Sequence, residues 1–210
     1  MSQETLSQAA YRHLRDDIDN QRIAPNSALT ESELACVMNI SRTPLRAALL
    51  RLEREGTIER LASGTLLVRA VTVDKLLEIL LLRQVLERAA AGRAAERGNT
   101  PELDAARSDA MRLLETRPDF DAFWANDECF HLAVAQAAGL TILPVILTEQ
   151  RAIVHRCSII RTHESFEEQI REHIAVIDAI KVGEPDAARA AMSRHFDNMR
   201  SRSLGTLSGP

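Results

Sequence analysis

The sequence predicts a mainly α-helical protein that joins an N-terminal winged helix-turn-helix to a C-terminal antiparallel six-helix bundle. Two capped helices followed by a β-prone hairpin predict the first domain, over residues 1–70. Helical spacing of apolar residues without a recurring strand pattern predicts an all-helical second domain, over residues 71–204. Small and polar residues at the C-terminus predict a disordered tail over residues 205–210.

Three short helices are predicted ahead of the hairpin, the first from an apolar stripe at helical spacing. Thr30 followed by Glu33 has the spacing of a capping box and predicts the start of the second helix. Ser41 is predicted to cap the third helix, and Pro44 falls in its first turn, where a missing N–H costs little. Gly56 is predicted to end that helix.

A hairpin is predicted directly after the third helix. Residues 57–61 and 65–68 are β-prone, and Ser63 and Gly64 between them are typical turn residues. Such a hairpin next to a helix-turn-helix is a wing.

The start of the third helix carries the residues that we expect to contact DNA. A helix, a short turn and a capped helix form the geometry that places a recognition helix in the major groove of a duplex. Arg42, Thr43 and Arg46 lie at the N-terminal end of that helix, where an arginine can reach guanine or phosphate.

The net charge of −4 argues against nucleic-acid binding, because phosphate contacts dominate affinity for duplex DNA. The acidic excess, however, lies in the second domain. Residues 1–70 hold nine arginines and nine acidic residues, which leaves 17 basic against 21 acidic residues in the remainder. Aromatic residues make up only 3% of the chain, which disfavours a stacking surface for single strands and leaves duplex recognition open.

The sequence favours a cytoplasmic protein without a membrane partner. The N-terminus lacks the basic and apolar regions of a secretion signal, and the most apolar stretch, residues 76–86, contains Glu78 and Arg83. The three cysteines are far apart and include no CxxC pair, which fits a reducing compartment and excludes a zinc knuckle.

Glycine, proline and polar breaks divide the second domain into helices. The predicted helices cover residues 73–97, 101–116, 119–138, 141–158, 164–182 and 185–203.

Four side chains in this domain have the spacing of a metal site. Asp127 and His131 lie four residues apart, so they project from one face of a helix. His173 lies ten residues before the turn at Gly183 and His195 lies twelve residues after it, so both are about 15 Å from the turn in an antiparallel hairpin. One carboxylate and three imidazoles suit a divalent ion, zinc or nickel above all, and leave one or two coordination positions open.

Other interpretations of the same residues stay open. A single histidine on a helix is more often a surface or core residue than a ligand. An aspartate with three histidines also describes metalloenzyme centres, although we identify no general base beside this one, because Glu128 points about 100° away from Asp127. A purely structural metal ion is a third interpretation.

Arg83 is the candidate residue for binding an effector. Apolar neighbours surround it, so an inward orientation would let it bind an anion. The alternative is an ion pair with Glu87, one helical turn away. Cys129 is expected in the core.

The run LTESELACVMNISRTPLRAALLRLEREGTIERLASGTLLV resembles the N-terminal domain of the GntR family of bacterial regulators. That resemblance implies that Arg42, Thr43 and Arg46, with Ser41 beside them, contact a DNA operator. It also implies that the wing reaches the adjacent groove through its turn residues, Ser63 and Gly64. Asn26 and Asn39 stand where the family usually has turn glycines, and Ser32 replaces an arginine that contacts DNA in one member.

The segments NDECFHLAVAQAAG, EHIAVIDAI and HFDNM resemble the FCD effector domain of the FadR-like subgroup. This resemblance implies that Arg83 faces an effector and that the metal ligands are Asp127, His131, His173 and His195. It further implies a homodimer that binds a palindromic operator and responds to a small carboxylate.

Overall fold

A computed structural model describes residues 4–116, 119–157 and 166–207. The chain divides into two compact units. One comprises Met1–Thr72 with His155–Cys157, and the other comprises Val73–Val154 with Ser158–Pro210. The protein is mainly α-helical, as predicted, with one small sheet among the described residues.

The first unit has the predicted three helices and hairpin, together with a short strand that the sequence did not reveal. The strand order is β1-β3-β2, and both pairings are antiparallel. β1 has only two residues, too few to show an alternating pattern, and it forms because it pairs with β3. The elements are α1 (Leu6–Asp19), β1 (Ala28–Leu29), α2 (Glu31–Val37), α3 (Arg42–Arg54), β2 (Ile58–Arg60) and β3 (Leu66–Val68).

The starts of α2 and α3 differ in how they are capped. The predicted capping box of α2 is present, since the Thr30 hydroxyl accepts from the Glu33 N–H and the Glu33 carboxylate accepts from the Thr30 N–H. Ser41 is the N-cap residue of α3, as predicted, but its side chain does not make the expected capping hydrogen bond. The donor is missing because an N-cap hydroxyl commonly accepts from the third helical residue, which here is Pro44.

Left-handed backbone conformations at Asn26 and Asn39 shape the turns of this unit. Their φ angles are 64° and 51°, so asparagine takes the conformation that glycine usually provides. Asn39 lies in the turn between α2 and α3 and therefore sets how the third helix leaves the second. Gly56, with φ of 69°, follows the end of α3 as predicted.

The core of the first unit lies between α1, α3 and the sheet. The predicted stripe of α3 is buried, and it leaves the opposite face, with Arg42 and Arg46, exposed. The buried core residues are Leu14, Ile18, Leu34, Leu45, Leu49, Leu52, Ile58, Leu66 and Val68.

The second unit contains six helices where the sequence predicted them, although His155 at the end of the fourth belongs to the first unit. Residues 158 and 164–165 of the predicted helices lie outside the described part of the chain. α4 packs against α9, α8 packs against α9, and α5 packs against both α6 and α8. The helices are α4 (Val73–Arg97), α5 (Pro101–Glu115), α6 (Phe120–Ala137), α7 (Leu143–His155), α8 (Phe166–Val182) and α9 (Pro185–Leu207). Among the described residues, none of the helices is both long and apolar enough to cross a membrane.

The last helix extends further than the sequence predicted. α9 continues to Leu207, so the first part of the expected tail over residues 205–210 is helical, and residues 208–210 lie outside the described part of the chain. Gly205 does not stop the helix, because an isolated glycine costs a helix only about 1 kcal/mol.

Candidate metal centre and nucleic-acid interface

The second unit brings the four predicted metal ligands together. Asp127 and His131 project from α6, His173 from α8 and His195 from α9. One ligand atom from each residue lies within 4.8 Å of all the others. All four side chains are buried, and the three imidazoles have no exposed surface.

The atoms that face one another in this cluster have no hydrogen-bond partners. They are Asp127 Oδ1 and the Nε2 atoms of His131, His173 and His195. Asp127 Oδ1 lies 3.5 Å from His131 Nε2 and 3.4 Å from His173 Nε2. Buried polar atoms without partners are costly, so the arrangement calls for a cation among them. Three imidazole nitrogens and one carboxylate oxygen fit a borderline divalent ion such as zinc or nickel.

Local geometry accounts for this convergence. Asp127 and His131 are one helical turn apart, while His173 and His195 lie at similar distances from the turn at Gly183, whose φ is 76°. The ring centroids of His173 and His195 are 4.7 Å apart. Phe130 stacks on His173 with ring centroids 4.1 Å apart, which fixes the orientation of that imidazole.

Two of the imidazoles form hydrogen bonds to carboxylates through Nδ1, the ring nitrogen that is not directed into the cluster. His131 Nδ1 bonds Glu87 Oε2, and His195 Nδ1 donates to Glu172 Oε2 over 2.9 Å. Because an ionised carboxylate can only accept, Nδ1 of each ring carries a proton, so Nε2 is the atom of each ring that is available to a metal. Sequence reasoning assigned neither glutamate this role, since each lies on a different helix from the histidine that it contacts.

Arg151 holds the carboxylate ligand in the same way. It is a buried residue of α7 whose Nη1 donates to Asp127 Oδ2, leaving Oδ1 directed at the histidines. Its Nη2 donates to the carbonyl of Trp124 over 3.0 Å. Sequence reasoning missed Arg151 because one arginine on an amphipathic helix carries no local sign that it points inward.

The protonation states match those that a metal site requires. Burial lowers the pKa values of His173 and His195, so both rings are neutral at neutral pH. Burial alone would raise the pKa of Asp127, but the nearby Arg151 and His131 hold it well below its ordinary value. Burial acts likewise on Glu172, whose hydrogen bonds from His195 and Arg202 lower its pKa to about 2. Ligation therefore requires no proton release from these groups near pH 7.

Arg83 points inward and also forms the ion pair with Glu87. Its side chain is buried, and its Nε donates to Glu87 Oε1 over 2.8 Å, so the ion pair of the alternative interpretation is present. Its Nη2 is also buried and has no hydrogen-bond partner. Arg83 therefore supports the His131 side of the cluster through Glu87 and keeps one donor free.

Cys129 lies elsewhere than expected. It is exposed, so the prediction of a core residue is wrong. A position two residues from each of Asp127 and His131 is rotated about 200° around the helix axis, and on α6 that face meets solvent.

In the first unit, a groove runs between the start of α3 and the hairpin. It brings together four of the residues predicted to contact DNA, namely Arg42, Arg46, Ser63 and Gly64. Ser41 and Thr43 are exposed at the start of α3, outside the lining of the groove. Two charged residues that the sequence reasoning did not select, Glu31 and Arg60, also line it.

Comparisons with known proteins identify the class to which this chain belongs. Residues 6–68 match the family described as "Bacterial regulatory proteins, gntR family", and residues 78–198 match the family described as "FCD domain". Together these matches cover both units and define a transcriptional regulator. The chain belongs to the gntR family and carries an FCD domain.

Individual relatives agree with that assignment. The HTH-type transcriptional repressor RspR of Escherichia coli K12 is 27% identical over 200 residues, which cover 93% of this chain and 88% of that protein. The putative L-lactate dehydrogenase operon regulatory protein of the same strain is 28% identical over 217 residues, covering 91% and 83% of the two chains. The solved structure of E. coli McbR/YncC shares the fold, with a TM-score of 0.75, 19% identity, and coverage of 98% and 100%.

We predict that Glu172→Gln weakens divalent metal binding about 10- to 100-fold, because His195 loses the carboxylate that fixes its tautomer. Glu168→Gln is the matched control, since Glu168 lies one turn away on α8. Its side chain is largely exposed, and its contact with Arg202 is long, at 3.7 Å. Competition with a chromophoric chelator measures both affinities. Equal affinities for the two variants would contradict the assigned role of Glu172.

Proposed function

We propose that this regulator binds an operator through α3 and the wing, and that a small organic acid bound at a divalent metal in the helical unit controls that binding. The observation that carries the proposal is the set of four buried ligand atoms without hydrogen-bond partners, in a chain that belongs to a family of DNA-binding regulators. The metalloenzyme alternative finds no support, since the matched families and relatives are regulators.

The proposed reading surface consists of Ser41, Arg42, Thr43 and Arg46 on α3, with Ser63 and Gly64 at the tip of the hairpin. The α3 residues are exposed, while the opposite face of the helix is buried in the core. This arrangement supports insertion of the N-terminal half of α3 into a major groove, with the wing against the neighbouring backbone. Because the proposed partner is bacterial DNA, the proposal places the protein in the cytoplasm.

The proposed metal centre consists of Asp127, His131, His173 and His195. When bound there, a divalent ion supplies a Lewis-acidic position for an oxygen ligand. The surrounding charges favour an anion: Arg151 balances the Asp127 carboxylate, as Arg83 balances Glu87. The charge of the ion itself is then left uncompensated, which attracts a carboxylate to the open position.

Arg83 is the proposed second contact for that carboxylate. Its unpartnered Nη2 supports this role, because a buried guanidinium N–H gains most from a charged acceptor. The name of the 28% identical relative refers to L-lactate dehydrogenase, an enzyme that acts on a 2-hydroxy acid. That relationship supports the small hydroxy or keto acids as the ligand class to test first.

A second copy of the chain is the proposed partner of α4. Four large apolar side chains form one exposed face of this helix, at Leu81, Leu82, Val85 and Leu86. A surface patch of this kind is typical of protein interfaces. A two-fold dimer would present two reading helices to the two halves of a palindromic operator.

We predict that Arg46→Ala lowers affinity for a duplex selected from a randomised pool by the wild-type protein about 10- to 100-fold, as expected for loss of a bidentate contact to a base. Arg54→Ala is the control, because Arg54 is exposed at the other end of the same helix. Fluorescence anisotropy measures both affinities. An Arg54 variant that loses as much affinity as the Arg46 variant would contradict the proposed surface.

We predict that Arg83→Lys reduces or abolishes carboxylate binding while the metal content is kept, because lysine preserves the charge but not the planar fork. Arg88→Lys, an exposed substitution on the same helix, should bind as the wild type does. Calorimetry with a panel of small carboxylates, with and without chelator, measures the effect. Binding that survives removal of the metal would support a structural ion instead of a sensing one.

A further inference from the structure

An acidic side chain lies in the groove where the proposed function needs a basic surface. Glu31 is the first residue of α2, and it lines the same groove as Arg42 and Arg46. Its side chain is 19% exposed. DNA phosphates repel a carboxylate at such a position, so Glu31 lowers affinity for DNA of any sequence. A gain in affinity for DNA therefore cannot explain why Glu31 lies in this groove.

Each oxygen of the Glu31 carboxylate accepts a hydrogen bond from a different arginine. Arg46 of α3 donates through Nε to Oε2 over 2.7 Å, and Arg60 of β2 donates through Nη1 to Oε1 over 3.0 Å. The hydrogen bond from Arg46 is the main reason that the pKa of Glu31 is lowered. Glu31 is therefore ionised at neutral pH and bridges the recognition helix to the hairpin.

Arg60 is held from its other side by Glu53 of α3. Its Nε donates to Glu53 Oε1 over 2.9 Å, and its Nη2 lies 3.4 Å from Glu53 Oε2. All three guanidinium nitrogens of Arg60 thus contact a carboxylate. These bonds use three of the five N–H groups of Arg60 and anchor Glu31. The two carboxylates also offset the charge of Arg60, so its attraction for a phosphate is weak.

Arg46 is bound differently. Among the hydrogen bonds of the described residues, its guanidinium uses only Nε, and its side chain is 65% exposed. The two terminal nitrogens are therefore available for a bidentate contact with the O6 and N7 atoms of guanine. A bond to Nε also restricts the rotation of a long side chain that would otherwise lose conformational entropy on binding.

We infer that Glu31 is a positioning residue for sequence recognition, which fixes Arg46 through Nε while the ion pair of Arg60 with Glu53 keeps Glu31 in place. The inference rests on the proposed function, since it requires α3 to read DNA. A fixed Arg46 meets a base edge in one geometry, whereas a free arginine pairs with phosphates of any sequence. Glu31 thus raises the ratio of specific to non-specific affinity.

The test compares Glu31→Gln with Glu59→Gln in the full chain. Glu59 is a matched control, because it lies on β2 next to Arg60, does not line the groove, and forms an exposed ion pair with Arg69 over 3.1 Å. Both substitutions remove one negative charge. Anisotropy measures affinity for a duplex selected by the wild-type protein and for a scrambled duplex of the same composition.

We expect Glu31→Gln to lower the ratio of the two affinities about tenfold or more, the cost of one poorly read base pair. Glu59→Gln should raise both affinities alike and leave the ratio within about twofold of the wild type, because it removes only a general repulsion. Circular dichroism and thermal melting establish that both variants are folded.

Arg60→Gln removes the arginine that keeps Glu31 in place. This variant keeps the inference testable if Glu31→Gln does not fold. We expect it to lower the affinity ratio without changing the dependence of log affinity on log salt concentration. A phosphate contact, when lost, would reduce that slope by about 1.

Equal affinity ratios for Glu31→Gln and Glu59→Gln would overturn the inference, as would a reduced salt slope for Arg60→Gln. In either case, if the wild-type protein enriches a duplex from the randomised pool, the proposed binding of an operator is still supported. A selection that enriches no duplex would contradict the proposed function, and the inference with it.

Discussion

Four polar atoms that the protein leaves without hydrogen-bond partners lie together inside the helical unit, and much of that unit is arranged around them. The burial of unpaired imidazole and carboxylate groups is costly, and only a cation among them satisfies all four at once. The ligands come from α6, α8 and α9, so an ion bound there would join three of the six helices. The proposed metal centre is therefore also a structural constraint on the fold.

The residues that bond the proposed ligands set the charge of the metal centre and connect it to Arg83. Arg151 and Glu87 each hold one ligand of α6, and Glu172 holds His195. Glu87 in turn bonds Arg83, so one chain of contacts runs from the proposed effector contact to His131, a proposed metal ligand. An effector that draws on the free donor of Arg83 would act on the ion through these contacts. This continuity supports a sensing role over a purely structural one.

Local periodicity was enough to predict the helices, the hairpin and the convergence of four buried side chains in the helical unit. Asp127 and His131 are one turn apart, and the positions of His173 and His195 follow from their distances to one turn, so no tertiary knowledge was needed. The residues behind the ligands depend on packing between helices. Glu87 bonds a histidine 44 residues away, and Arg151 bonds an aspartate 24 residues away. The missing cap at Ser41 had a local cause, the absent N–H of Pro44, that sequence reasoning had overlooked.

The proposed metal centre can be tested by X-ray absorption at the edge of the metal that elemental analysis finds in the purified protein. We expect one divalent ion per chain, with nitrogen and oxygen ligands at about 2.0–2.2 Å and the outer-shell scattering of three imidazole rings. We expect no sulfur at about 2.3 Å, because no cysteine belongs to the cluster found among the described residues. A protein purified without any bound ion, or a spectrum with a sulfur ligand, would contradict the proposed metal centre.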